Sequence, residues 1–104
     1  MSNKITTQSR QPVLRGSILQ FLVEVYPERV EELSIVQIKY EYYHYADIIK
    51  ALEYLADRGY LDKDEKDHPA RLHEKVRLYR ATSQGIDLVE GTTKDAGVCV
   101  ERGL

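Results

Sequence analysis

The apolar positions in the first part of the chain follow the spacing of a helix. From Pro12 onward, large apolar residues recur at intervals of three and four, which predicts one buried helical face. The members of this face are Leu14, Ile18, Phe21, Leu22 and Val25. Proline suits the first turn because its missing N–H would be unpaired there. The Tyr26–Pro27 pair ends the pattern, since a residue before proline avoids the helical conformation.

Two more helices separated by a short turn are predicted next. Ser34 and Gln37 fit a capping box, which places the start of the second helix directly after the serine. Residues 42–44 (Tyr-Tyr-His) are weak helix formers and predict the turn. A third periodic run then extends from about Tyr45 to Arg58, and the following Gly59 is suited to end it in a left-handed conformation.

Beyond the third helix the hydrophobic period changes from helical spacing toward two. The alternation over residues 61–81 predicts a long β-hairpin, with a charged tip somewhere in 67–73. Thr82 to Gly85 then precede a short apolar run that ends at Gly91, which predicts a short closing helix. The predicted fold class is therefore α+β, mainly α.

Length and composition indicate one domain. The chain has 104 residues, of which 42% are hydrophobic and 31% charged, too few for two independent cores. We expect a flexible N-terminal arm over 1–11, a domain over 12–91 and a C-terminal tail over 92–104. The N-terminus has no long apolar run, so no membrane segment is expected, and the single Cys99 fits a reducing compartment. Both features predict a cytoplasmic protein.

Two stretches resemble a known group of proteins. Residues 48–61 resemble a third helix that passes through its glycine into a hairpin, and residues 78–88 resemble the returning strand before a closing helix. Together with the helix order, they resemble the winged helix-turn-helix superfamily, in particular small bacterial or prophage regulators of PadR or MarR flavour. The resemblance implies a three-helix bundle with a two-stranded wing and a short C-terminal helix, and it implies duplex DNA as the partner.

In this superfamily the third helix enters the major groove while the wing follows the DNA backbone or the minor groove. Carried over by position, the predicted nucleic-acid contacts are Tyr43, Tyr45, Lys50, Tyr54, Arg71, Lys75 and Arg77. Lys4, Arg10 and Arg15 are supplementary cations. The implied function is transcriptional regulation, or a phage-type accessory role, and the superfamily often acts as homodimers on paired half-sites.

The charge distribution supports DNA binding by the wing and opposes DNA binding by the region that contains the second and third helices. The whole chain has a net charge of −2, and residues 28–57 hold three cations against seven carboxylates, a net −4. Residues 71–80 hold four cations against one carboxylate, a net +3. The open alternatives are a solvated hairpin with no ligand, tyrosines that only cover a helix turn, and a winged helix used for protein contact or dimerisation without DNA.

The remaining chemistry predicts neither an enzyme nor a cofactor. His68 and His73 lie five residues apart in a predicted loop, which fits no tight zinc spacing. Cys99 lies in the predicted tail with nothing beside it that would activate its thiol as a nucleophile. The sequence contains no glycine-rich phosphate loop and no serine nucleophile elbow, so no small-molecule substrate is expected.

Overall fold

The structure is a computed structural model that describes residues 10–101. Within these residues it is an α+β fold of four helices and a three-stranded antiparallel sheet. The helices are α1 (Gln11–Glu24), α2 (Glu32–Lys39), α3 (Tyr45–Asp57) and α4 (Ser83–Glu90). The strands are β1 (Val30–Glu31), β2 (Leu61–Asp67) and β3 (Lys75–Ala81), in the sheet order β1-β3-β2. The expected arm at 1–11 falls largely outside the described residues.

The core lies between the four helices and the inner face of the sheet. The apolar stripes predicted for the first and third helices point into it. Its fully buried side chains include Leu14, Ile18, Leu19, Leu22, Ile35, Ile48, Leu52, Leu55, Tyr79 and Leu88. Such burial stabilises the fold by roughly 1.5–3 kcal/mol for each large apolar side chain.

The hairpin and the ends of its flanking helices agree with the sequence pattern. Strands β2 and β3 pair from Leu61 opposite Ala81 to Asp67 opposite Lys75, so that β2 forms one outer edge of the sheet. Gly59 has a φ of 82°, the left-handed conformation that glycine adopts without a steric penalty. Gly91, with a φ of 90°, ends α4 in the same way.

The predicted start of the second helix is wrong. Helix α2 begins at Glu32, so Ser34 lies inside its first turn and cannot act as the N-cap. The reason is the strand before it. Glu31 is extended and pairs with Leu78 of β3, and the helix begins at the residue where that pairing ends.

The segment after α4 packs along α1, which the sequence pattern did not indicate. The Cys99 N–H donates to the Pro12 carbonyl at 2.8 Å. Farther along the helix, the Gln20 amide donates to the Glu101 carbonyl at 2.8 Å and accepts from the Glu101 N–H at 3.0 Å. Gly16 lies between these contacts. A Cβ atom there would meet the Cys99 carbonyl oxygen at 1.7 Å, so only glycine leaves room for the segment.

Asp95 anchors the start of this segment to the end of α3. Its carboxylate accepts hydrogen bonds from the Tyr60 hydroxyl at 2.6 Å, the Arg58 guanidinium at 2.8 Å and the Gly97 N–H at 2.8 Å. These donors, led by Tyr60, hold the pKa of Asp95 below its usual value, because each favours the ionised form.

Gly16→Ala is expected to displace the C-terminal segment from α1. Alanine normally favours a helix over glycine by up to about 1 kcal/mol, but the clash with Cys99 reverses that sign here. We expect a net destabilisation of roughly 1–3 kcal/mol in urea unfolding and faster hydrogen exchange at the Cys99 amide. Glu24→Ala, an exposed change on the same helix, is the control. A Gly16→Ala variant with unchanged stability and Cys99 protection would contradict this packing.

Candidate nucleic-acid interface

The accessible part of α3 is the side that faces away from the core. Ile48, Leu52 and Leu55 point inward, which turns Ala46 and Lys50 toward solvent. Tyr45, at the first position of the helix, is also exposed. In the first two turns the exposed cation is Lys50, and the acidic Asp47 is half-buried beside it in the same cleft.

Two predicted contacts on or beside α3 are not on this surface. Tyr43 is only 8% exposed and belongs to the hydrophobic core, so the structure corrects its assignment as an accessible contact. Tyr54 is on the flank of α3 that faces α1. There the Arg15 guanidinium carbon stacks 3.6 Å from the centroid of its ring. The Arg15 side chain also donates to the Gly97 carbonyl at 3.1 Å, so both residues hold the C-terminal segment.

Lys50 stands beside a small polar cleft between α1 and α3. The cleft measures about 240 Å³ and is lined by Gln11, Arg15, Asp47 and Lys50. The Gln11 amide donates to the Asp47 backbone carbonyl at 3.0 Å and so ties the first turns of the two helices together. Within residues 10–101, Lys50 forms no salt bridge. Its ammonium group is therefore available to an external anion.

Two hairpin cations at the predicted contact surface are paired with carboxylates but remain accessible. Arg71 is 3.5 Å from Glu74, and Lys75 is 2.5 Å from Asp67. The Arg71 and Lys75 side chains are 70% and 55% exposed. Exposed pairs of this kind contribute at most about 1 kcal/mol. A phosphate can therefore replace either carboxylate partner.

Arg77 has a structural role that the sequence pattern did not indicate. Its Nε and Nη2 atoms donate to the two carboxylate oxygens of Glu32, each at 2.9 Å. The hydroxyl of the fully buried Tyr79 donates to the same carboxylate at 3.2 Å. Burial, reinforced by the Glu32 charge, raises the pKa of Tyr79 far above its ordinary value. We name these three residues the Glu32 network. Because the Glu32 network occupies its guanidinium, Arg77 fixes the hairpin to α2 and is not free to contact a nucleic acid.

The loop that joins β2 to β3 is organised by a histidine. We call residues 68–74 the hairpin tip. The Nδ1 atom of His68 accepts hydrogen bonds from the backbone N–H groups of Ala70 and Arg71, both at 3.0 Å. The backbone N–H of His68 donates to the Glu74 backbone carbonyl at 2.9 Å and closes the loop. The sequence had suggested only a metal site for this histidine, and had set that aside.

Ion pairing changes the charge that the surface presents. Among the carboxylates of residues 28–57, Glu32 is compensated by Arg77 and Glu53 by Lys63 at 3.1 Å. Both cations come from the hairpin, and Arg77 is one of the four that the sequence count over residues 71–80 treated as free. The strong contrast between an acidic helical region and a basic hairpin is therefore smaller on the surface than in the sequence.

Among the described residues, no group of three His, Cys, Asp or Glu side chains could hold a metal ion. None of the helices in residues 10–101 combines the length and apolarity needed to cross a membrane. No protein-family model matches the chain, and no curated protein matches its sequence significantly.

Glu32→Gln is expected to destabilise the protein because it leaves the half-buried Arg77 charge uncompensated. With Arg77 38% exposed, solvent reduces the effect, and we expect a loss of about 2 kcal/mol in urea unfolding. Glu31→Gln removes the same charge from the exposed neighbouring position and is the matched control. Equal unfolding midpoints for the two variants would show that the Glu32 network does not hold the hairpin.

Proposed function

We propose that the chain is a winged-helix domain that binds duplex DNA through the first two turns of α3 and the hairpin tip. The order of elements supports this proposal. A short β1 lies beside β3, a turn of five residues joins α2 to α3, and the β2–β3 hairpin follows α3 directly. In winged helices this order presents the third helix and the hairpin to the double helix.

The observation that carries the proposal is the surface of the first two turns of α3. Helices that read the major groove do so chiefly with residues near their N-terminus. Here those turns expose Tyr45, Ala46 and Lys50, and Lys50 balances the charge of the half-buried Asp47. The acidic excess of residues 28–57 therefore lies outside the part of α3 that would enter the groove.

The phosphate contacts in this proposal are Lys50 on α3 and Arg71 and Lys75 at the hairpin. Lys66, exposed near the end of β2, is a further cation on the same hairpin. Tyr45 is half-exposed and offers a ring and a hydroxyl to a sugar or a base. Acting through these groups, the chain serves as a transcriptional regulator or a phage-type accessory factor.

Duplex binding should depend steeply on salt and on these cations. We expect fluorescence anisotropy with a pool of random duplexes to show binding that weakens between about 50 and 200 mM salt. The double variant Lys50→Ala with Arg71→Ala should lower the slope of log affinity against log salt by about two, since each lost phosphate contact removes about one.

Lys94→Ala is the matched control, because Lys94 is exposed in the loop after α4, away from α3 and the hairpin. It should leave the slope unchanged. Absence of binding to any duplex at the lower salt would refute the proposal. If Lys94→Ala lowered the slope by as much, the binding would be nonspecific electrostatic attraction and not contact through α3 and the hairpin tip.

A second candidate is homodimerisation through the end of α2 and the turn that follows it. The observation that favours it is the exposure of Ile38, Tyr40 and Tyr42, each at least half exposed. Aromatic side chains are enriched at the centres of protein interfaces. On this candidate, sedimentation equilibrium without DNA should show a dimer that Ile38→Glu dissociates. A monomer at all concentrations would rule it out, whereas a dimer that also binds DNA fits both candidates.

A further inference from the structure

The hairpin tip is held by few interactions besides His68. Leu72, the large apolar side chain of this loop, is 85% exposed and so contributes little apolar burial to it. One backbone hydrogen bond, from the Glu74 N–H to the Arg71 carbonyl, measures 3.3 Å, near the upper limit for such a bond. His73 has a φ of 66°, the left-handed conformation. Two of the shorter contacts in the loop are therefore those that His68 Nδ1 accepts.

This arrangement requires a neutral imidazole. Nδ1 accepts a hydrogen bond only when it carries no proton, and in the protonated ring both nitrogens are donors. Protonation would place an N–H against the N–H groups of Ala70 and Arg71, and both bonds would be lost. We propose that His68 is the positioning residue of the hairpin tip, and that protonation of its imidazole releases the turn from Ala70 to Arg71.

Charged groups of both signs surround the imidazole. From the strands and the tip itself, and from the start of α2 across a shared cleft, the titratable and charged neighbours are Asp67, Arg71, His73, Glu74, Lys75, Arg77, Glu31 and Glu32. The carboxylates of this set are themselves paired with Lys75, Arg71 and Arg77, except for Glu31. The two backbone donors on Nδ1 are thus the contacts that distinguish the neutral from the protonated ring.

The same geometry connects His68 to the proposed phosphate contacts. The backbone N–H of Arg71 is one of the two that donate to His68 Nδ1. The imidazole therefore fixes the position from which the Arg71 side chain extends. This part of the inference rests on the proposed function. The role of His68 in the turn does not, because it can be measured without any ligand.

Nuclear magnetic resonance of the free protein tests the turn. At about pH 7.5, the long-range ¹H–¹⁵N spectrum should show His68 as the tautomer protonated on Nε2. In a titration from about pH 7.5 to about pH 5.5, the Ala70 and Arg71 amide signals should shift together with the ring signals and lose protection from exchange as the ring takes up a proton. A proton on Nδ1 at the higher pH would overturn the proposal, and so would Ala70 and Arg71 amide signals that stay unchanged while the ring becomes protonated.

Substitutions separate an acceptor from a merely structural side chain. His68→Asn supplies a carbonyl oxygen that does not titrate, so it should keep the two amides protected at both pH values. His68→Ala should leave them unprotected at both. His73→Asn is the matched control, because asparagine tolerates the left-handed conformation, and it should preserve the wild-type pH response. Protected amides in His68→Ala, or loss of the pH response in His73→Asn, would contradict the assignment.

Duplex affinity provides the second readout. At about pH 7.5, His68→Ala should weaken binding about threefold to tenfold, because the loop must be ordered on binding, and His68→Asn should bind as the wild type does. If no duplex is bound by any of the three proteins, the proposed function fails while the amide test still decides the role of His68. If the wild type binds and His68→Ala binds equally well, the positioning role for DNA is wrong.

Discussion

The carboxylate of Glu32 joins α2 to β3 through Arg77, a residue 45 positions farther along the chain. It stands at the first position of α2, where the helix dipole favours a negative charge. From there it receives two hydrogen bonds from Arg77 and one from Tyr79, both on β3. The hairpin is therefore held against the start of α2 by a polar contact as well as by the apolar core. The angle at which the hairpin leaves the bundle depends on it, and so does the position of the tip relative to α3.

What the sequence predicted well is local in origin. The buried faces of α1 and α3, the turn between α2 and α3, the left-handed conformation of Gly59 and the end of α4 at Gly91 follow from spacing and from backbone sterics within a few residues. The start of α2 was missed because it is set by pairing with β3, a distant strand. The packing of residues 97–101 was missed for a similar reason. In the sequence of α1, the sign of this packing was Gly16. A glycine inside a helix lowers helix stability but allows another segment of the chain to pass close to the helix backbone.

The candidate site shows the same division. Exposure of Tyr45 and Lys50 follows from the period of α3, and accessible cations at the hairpin follow from its composition. Counting charges along the chain could not reveal that Arg77 and Lys63 are matched with Glu32 and Glu53, because these partners are far apart in sequence or on different elements. For the same reason Tyr43, set among tyrosines that are exposed, gave no sign that it is the one turned into the core.

Strand β2 forms an outer edge of the sheet, and the residues from Asp62 to Asp67 are all charged. A further strand laid along this edge would have to approach that row and strip water from part of it. Charged edges of this kind are a common protection against lateral aggregation. The charged row therefore opposes the addition of a further strand beside β2, although β2 lies at the edge of the sheet. Self-association by strand addition at β2 is therefore disfavoured.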